Sequence, residues 1–395
     1  MSVEKEKEVP LRLQRIQCVD AVRGTALLMI LLVHCWFSYS GVVDRSLDVS
    51  WPDSVAHFIS FHVCKDRGFF IFSFLFGLSF FLQMDHAAYR GIDFRGRFCW
   101  RLTLLFLMGM VDRIFFKGDI LIHFSLAGLL MVVMWKLKTR WFVLLVCICL
   151  CQPVILYQSL VGNTSPGDVE ASMLHTVNSC QQYLGWTWRE ADPSSFLSMA
   201  KTNYLSGFVY TFVLYLYNGR FWTMLAMFFM GVIAGRTAFF QRGIKPVGIA
   251  LAIAAVVLVV LKAWLILSPS LLLDKMVYAA MAACMICGLA LIYSLPRVKG
   301  HLTYLTSVGR TTLTCYLSQN ILLSWLFFPW GLGVGLHAST FERFCIGVGF
   351  YVVQMLLATW YLKTHRFGPV EWVWRKLTKM GLEKKETPGG PASAA

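Results

Sequence analysis

The chain has 395 residues, 57% of them hydrophobic and 14% charged, with 31 phenylalanines and a formal net charge of +15. A mean hydropathy of +0.62 excludes an ordinary soluble globular domain. The Lys and Arg fall in alternate connections between apolar runs, so the positive excess follows the positive-inside pattern and not a nucleic-acid-binding face. The expected fold is all-α: a polytopic integral membrane protein with one transmembrane domain over residues 17–363.

Residues 1–16 are polar and read as a cytoplasmic N-terminal segment without a cleavable signal. Ten apolar stretches follow, each about as long as ~30 Å of hydrocarbon requires: 18–40, 58–83, 98–116, 120–135, 141–160, 221–239, 247–267, 272–294, 304–328 and 341–362. The basic connections Arg90 to Arg101, Lys136 to Arg140, Arg236 to Lys245 and Arg297 to His301, with both chain ends, then share one side. That side is expected to be cytoplasmic, and the membrane a bacterial inner membrane.

The opposite side carries acidic or neutral connections, of which 162–219 alone is long. It reads as a lid over an external opening, with Tyr183, Trp186 and Trp188 either stacking on a ligand or anchoring at the bilayer surface. Within it, Tyr204 to Tyr217 is short for a span and suits an interfacial or re-entrant helix. Asn163-Thr164-Ser165 is a glycosylation sequon best explained by chance. Residues 364–382 predict a cytoplasmic surface helix anchored by Trp372 and Trp374, and 383–395 a disordered tail. Most of the 12 cysteines lie in apolar runs and read as small buried hydrophobes.

In the first span, Asp20, Arg23 and His34 fall along one helical stripe, His34 eleven positions after Arg23 and roughly 16 Å further along. Ionisable groups in hydrocarbon cost several kcal/mol unless paired or wetted, so this stripe faces an interior. His34 is either a general base or a packed histidine bonded to a neighbouring helix. Arg23 snorkels, pairs with Asp20 or receives an anion.

Lys65-Asp66-Arg67 interrupts the second run, so an interfacial segment with His57 and His62 is expected before a span starting near Phe69. Asp119 opens the fourth span, where an N-cap competes with a catalytic or substrate role. In the ninth, Thr312, Tyr316, Gln319 and Asn320 recur at helical spacing, as interhelical glue or as a site facing His34. Arg310 stands at a depth similar to that of Arg23, and two arginines there suit a phosphate clamp. No metal-ligand spacing, nucleotide-binding glycine loop or nucleophile elbow is present.

The segments Asp20-Ala21-Val22-Arg23-Gly24, Phe72 to Gly77, Gly118-Asp119-Ile120-Leu121, Gly309-Arg310 through Gln319, and Arg366 to Arg375 resemble, in order, the YeiB-like family of bacterial inner-membrane proteins. That family resembles the wider transmembrane acyltransferase superfamily, in which many members place a basic residue and a histidine in the first span with ten residues between. The resemblance implies no permanently bound cofactor but acyl-coenzyme A as co-substrate, used from the cytoplasmic side. It also implies an extracytoplasmic acceptor, expected to be a glycan. It assigns His34 as the base. YeiB-like relatives often carry asparagine where this chain has His34, and asparagine is no general base at neutral pH.

The expectation is therefore a membrane acyltransferase in which Arg23 and Arg310 hold donor phosphates, His34 deprotonates the acceptor, and Tyr316 or Gln319 stabilises the oxyanion. Asp20 and Asp119 support them. The rivals are a proton-coupled transporter lined by Asp20, Arg23, His34 and Asp119, and a non-catalytic envelope scaffold in which the polar stripes only specify packing.

Overall fold

The computed structural model describes residues 17–38, 50–162, 166–184, 192, 194–268 and 270–380. The N-terminal segment, the sequon, Trp186, Trp188 and the tail 383–395 lie outside them. Every regular element among the described residues is helical.

In chain order these are α1 (Gln17–Val33), continued by a wider turn over His34–Ser38; α2 (Trp51–Phe58), continued likewise over Ile59–Cys64; α3 (Arg67–Tyr89); α4 (Arg95–Phe115); α5 (Leu121–Met134); and the pair α6 (Thr139–Leu150) and α7 (Pro153–Leu160). Then come α8 (Pro166–Tyr183), α9 (Phe196–Tyr204), α10 (Ser206–Tyr217), α11 (Arg220–Arg236), α12 (Ile244–Leu267), α13 (Leu271–Ser294) and α14 (Pro296–Lys299). The last are α15 (Thr303–Arg310), α16 (Thr312–Phe327), α17 (Thr340–Tyr361) and α18 (Pro369–Met380).

Five helical stretches are long and apolar enough to cross a membrane: Cys18–Trp36, Trp51–Tyr89, Ile244–Leu267, Leu271–Ser294 and Thr340–Tyr361. The pair α6 and α7, bent by 43° at Cys151–Gln152, makes a sixth if it is one span. The other expected spans lie on α4, which is crowded with Arg95, Arg97, Arg101, Asp112 and Arg113; on the shorter α5 and α11; and on the broken α15 and α16. Several apolar helices of this kind associate the chain with membrane.

The core centres on α1, α3 and α11. Where α3 crosses α11, Gly77 lies against the Phe228 backbone and Gly231 against the Phe74 carbonyl, so closely that a methyl at either would overlap it. Without an aqueous drive between helices in lipid, such close backbone approach and its dispersion contacts hold the crossing together. The same device joins α1 to α15, where Gly309 touches the Asp20 carbonyl.

The expected continuous helix over 304–328 is interrupted at Thr311, whose φ of −112° and ψ of 31° leave helical geometry. A break frees the first N–H groups of the next helix. Here α18 supplies their partner: Glu371 Oε1 accepts from the backbone N–H of Leu313 at 2.6 Å and of Thr314 at 3.0 Å, while Oε2 accepts from Thr314 Oγ1 at 2.5 Å. A carboxylate from a remote helix thus serves as the N-cap of α16, where the macrodipole favours negative charge. Residues 369–380 are therefore docked against the helices, with Trp374 Nε1 donating to the Arg101 carbonyl at 3.1 Å and Trp100 Nε1 to the Leu377 carbonyl at 3.1 Å. Trp372, Val373 and Leu377 stay exposed.

At the opposite end, the described residues of the long connection are largely helical. Arg113, 1% exposed, pins it to α4 by donating from Nε to the Asn203 carbonyl at 3.0 Å and from Nη2 to Thr211 Oγ1 at 3.1 Å. The stretch expected to be a short interfacial or re-entrant helix is α10, 12 residues long. As expected from Lys65-Asp66-Arg67, a break separates the turn carrying His62 from α3, with Asp66 in a left-handed conformation at φ 64°. All twelve cysteines are free thiols.

Candidate functional site

A cavity of about 250 Å³ opens at the α18 end between α1, α3, α4, α16 and α18. Four arginines line it: Arg23 and Arg310 as expected, and Arg101 and Arg375, which the sequence reading passed over. Arg23 Nη1 donates to Asp20 Oδ1 at 2.9 Å and to the Gly309 carbonyl at 3.4 Å, while Nη2 donates to Ser79 Oγ at 2.8 Å. Pairing with Asp20 therefore holds Arg23 at the cavity wall instead of removing it from the site. Arg310 Nη2 donates to the Arg366 carbonyl at 3.1 Å.

Arg101 lies 4.2 Å from the Trp374 ring centre and Arg375 4.0 Å from that of Phe367. Burial, and after it the Arg366 guanidinium, pushes Arg375 below the usual arginine range. The mouth is thus more cationic than its own carboxylates neutralise, since Asp20 is paired with Arg23 and Glu371 is committed to α16. Planar guanidiniums stacked on rings present forked donors, the arrangement that grips phosphate or carboxylate.

Deeper in, the wall turns apolar along Phe72, Phe76, Phe80, Phe98, Leu105 and Phe124, and Tyr316 closes the floor with Ile120 and Leu121. A cationic mouth complements an anionic group and an aromatic interior an apolar one. His34 and Gln319 are not among the residues lining it.

Behind the floor, a buried polar chain begins. Tyr316 Oη accepts from the Ile120 N–H at 3.2 Å and donates to Asp119 Oδ1 at 3.5 Å. Asp119 Oδ2 accepts from the Ile122 N–H at 3.0 Å, so the cap reading of Asp119 holds together with a place in this network. The carboxyl groups of Asp119 and Asp112 lie within hydrogen-bonding reach of each other. Asn320 Nδ2 donates to Asp112 Oδ2 at 2.6 Å.

Asn320 also bonds His34. The Asn320 amide carries both donors and an acceptor, so it can serve Asp112 and His34 at once. His34 is 9% exposed and begins the wider turn that ends the first span, its ring centre 4.4 Å from that of Phe116. Beyond it, Arg220 Nη2 pairs with Asp66 Oδ1 at 2.6 Å.

The structure therefore joins Arg23, Arg310 and Tyr316 around one cavity, and links Asp119 and His34 to it through Asp112 and Asn320. Gln319 stands apart. Its Nε2 donates to Gln354 Oε1 at 2.7 Å, and Gln354 in turn donates to the Cys315 carbonyl at 3.0 Å and Ser318 Oγ at 2.8 Å, interhelical glue between α16 and α17. An oxyanion role for Gln319 is withdrawn on that ground. The missed residue with a readable signal is Asp112, an ionisable group inside the third apolar run. Arg101 and Arg375 carried no such signal, because they read as ordinary basic residues at a membrane border.

Fold and cavity together define a helical membrane protein with an arginine-mouthed internal chamber. Residues 234–381 match a family described as "Protein of unknown function (DUF418)". That stretch includes both halves of the broken ninth helix and the α18 cap. The chain is 24% identical to the uncharacterised protein YxaH of Bacillus subtilis (strain 168) over 94% of its own length and 96% of that protein. It is 25% identical to an uncharacterised 39.9 kDa protein from the amylase 3′ region of Bacillus acidopullulyticus, over 92% and 94% of the two chains. Over 71 residues, 18% of each chain, it is 37% identical to the uncharacterised protein YeiB of Escherichia coli (strain K12). The chain is thus similar along almost its whole length to YxaH, and over one segment to YeiB, both uncharacterised proteins.

Proposed function

We propose that the protein is a membrane acyltransferase that takes an acyl group, in the simplest case acetyl, from cytoplasmic acyl-coenzyme A and passes it to an extracytoplasmic acceptor hydroxyl or amine, such as that of a glycan. It lies in a bacterial inner membrane with ten spans and both termini inside, the shorter and broken helices completing the count. One observation carries the reading: an arginine-mouthed, aromatic-walled cavity ends on Tyr316, behind which the buried polar groups Asp119, Asp112 and Asn320 stand between it and His34.

In this reading Arg23, Arg101, Arg310 and Arg375 hold the donor's phosphates at the mouth, and the thioester arm lies along the aromatic wall of the chamber. Tyr316 and Asn320 are one helical turn apart, ~6 Å along the axis, so a thioester carbonyl reaching Tyr316 comes within a turn of the residue that orients His34. A ring nitrogen of His34 takes the acceptor proton as the acceptor atom bonds the carbonyl carbon. The Tyr316 hydroxyl faces the developing oxyanion. The carbon–sulfur bond then breaks and the thiolate is protonated.

The test is to incubate purified protein with acetyl-coenzyme A and a panel of envelope glycans, comparing wild type with His34→Ala and Arg23→Ala. Acceptor-dependent thiol release that both variants abolish is expected. The facing carboxyls Asp112 and Asp119 favour one rival, a proton-coupled carrier of an anionic amphiphile. Absence of thiol release with every acceptor, together with proton-coupled flux in liposomes, establishes that rival and ends the transferase reading.

A further inference from the structure

Two carboxyl groups in the middle of the polar chain have no assigned task in the reaction above. Asp112 is 1% exposed and Asp119 fully buried, and they face each other. Asp112 Oδ1 meets no donor among the described residues. The donors that the structure gives the pair fall on the other three oxygens: Asn320 Nδ2 on Asp112 Oδ2, the Ile122 N–H on Asp119 Oδ2 and the Tyr316 hydroxyl on Asp119 Oδ1.

The charged and titratable groups around the pair come from each element packed on it. On α4, the Arg113 guanidinium is turned away to Asn203 and Thr211. On α5, His123 directs Nδ1 at the Asp119 carbonyl, 3.2 Å away, and stacks on Tyr215 with ring centres 4.2 Å apart. On α16 stands Tyr316, after α1 His34, and on α11 Arg220, which is committed to Asp66. Among the described residues neither Arg113 nor Arg220 forms an ion pair with either carboxyl. Like charges in contact in a low-dielectric interior do not both ionise, and a donorless carboxyl oxygen facing another carboxyl is satisfied by one proton between them.

We propose that Asp112 and Asp119 share a single proton and that this dyad, through Tyr316, supplies the proton that the leaving group takes. The inference rests on the transferase reading for its second half only. The thiolate released at the cavity floor takes the Tyr316 hydroxyl proton, and Tyr316 regains one from Asp119 Oδ1. Water entering the emptied cavity returns a proton through Tyr316 to Asp119, ending the short-lived second charge that the resting pair excludes, and the hydroxide so formed is matched by the proton that His34 releases. The acceptor's own proton leaves on His34, so atoms and charge balance. Asp119 and Asp112 touch no substrate and are positioning and proton-holding residues, whereas Tyr316 meets the reacting group.

The test has two independent readouts on the full-length protein. Infrared spectra of protein carrying ¹³C-labelled aspartate are expected to show a protonated aspartic acid at pH 7 in wild type, lost in Asp112→Asn and in Asp119→Asn and kept in Tyr316→Phe. No such band in wild type overturns the dyad without recourse to any variant, and so does a band surviving both Asn variants. In turnover assays, Asp112→Asn and Tyr316→Phe are each expected to lower kcat about 100-fold, with Asp112→Glu recovering part of the loss and donor KM nearly unchanged. An equal loss in kcat/KM carried entirely by KM overturns the proton-supply role. A band without acyl transfer to any acceptor keeps the shared proton and overturns the transferase reading.

Discussion

Each ionisable residue in the interior has a distinct electrostatic circumstance, and that separates the expected effects of substitution. Among the described residues Arg310 bonds a backbone carbonyl and no side chain, so Arg310→Ala is expected to leave folding intact and weaken coenzyme A binding about 10- to 100-fold, the loss of a charge-assisted contact. Calorimetric titration checks it, and the loss is expected to shrink as salt rises. Arg23→Ala removes the same kind of contact and also takes away the ion pair with Asp20 and the bond to Ser79, so a lower melting temperature is expected in addition. His34→Asn keeps size and one polar atom but no titratable nitrogen. It is expected to abolish thiol release while preserving the melting temperature, and full retention of release would remove His34 from the chemistry. The sequence alone carried the candidates His34, Arg23 and Arg310, because an ionisable group in an apolar run is anomalous wherever it folds. It left out Asp112, although the same anomaly applied, and misplaced Gln319, because a polar stripe at helical spacing does not reveal which of two neighbouring helices each side chain meets.

Among the elements, the interruption at Thr311 and the docking of α18 form one unit. Substituting Glu371 with Ala leaves the N–H groups of Leu313 and Thr314 without their acceptor in a buried setting, and the expected cost is about 1 to 2 kcal/mol. Thermal unfolding in detergent reads it, with Glu371→Gln intermediate because it retains one carbonyl oxygen. Since α18 also carries Arg375 and Trp374 to the mouth, the Ala variant is expected to bind donor more weakly as well. A second expectation concerns the α1 to α15 crossing: a methyl at Gly309 overlaps the Asp20 carbonyl, whereas one at Gly288 meets nothing within 4 Å. Gly309→Ala is therefore expected to destabilise by about 1 to 3 kcal/mol and Gly288→Ala to be neutral or slightly stabilising. The blocks Gly309 to Gln319 and Arg366 to Arg375 read as separate motifs in the chain. Their joint meaning is a cap supplied across more than fifty residues, and local patterning has no term for that.

At the scale of the whole molecule, the arrangement of basic connections predicts a topology that labelling tests directly. In a cysteine-free background, single cysteines at Lys138 and Arg242 are expected to resist a membrane-impermeant thiol reagent applied to intact cells, and cysteines at Asn218 and Asp274 to react; the reverse pattern overturns the orientation. The sequence by itself determined the helical class, the membrane setting, the short helix within 204–217 and the separation of the His62 segment from α3. These follow from hydrophobic length, charge placement and helix-breaking residues, which are properties of a chain taken locally. Only the tertiary structure decided that four arginines from four helices meet at one mouth, that Glu371 repairs a broken helix, and that Asp112 and Asn320 stand between Tyr316 and His34. Those depend on which faces of distant helices turn toward each other, and the close approaches at Gly77, Gly231 and Gly309 that set those faces are stabilised by packing between segments far apart in sequence.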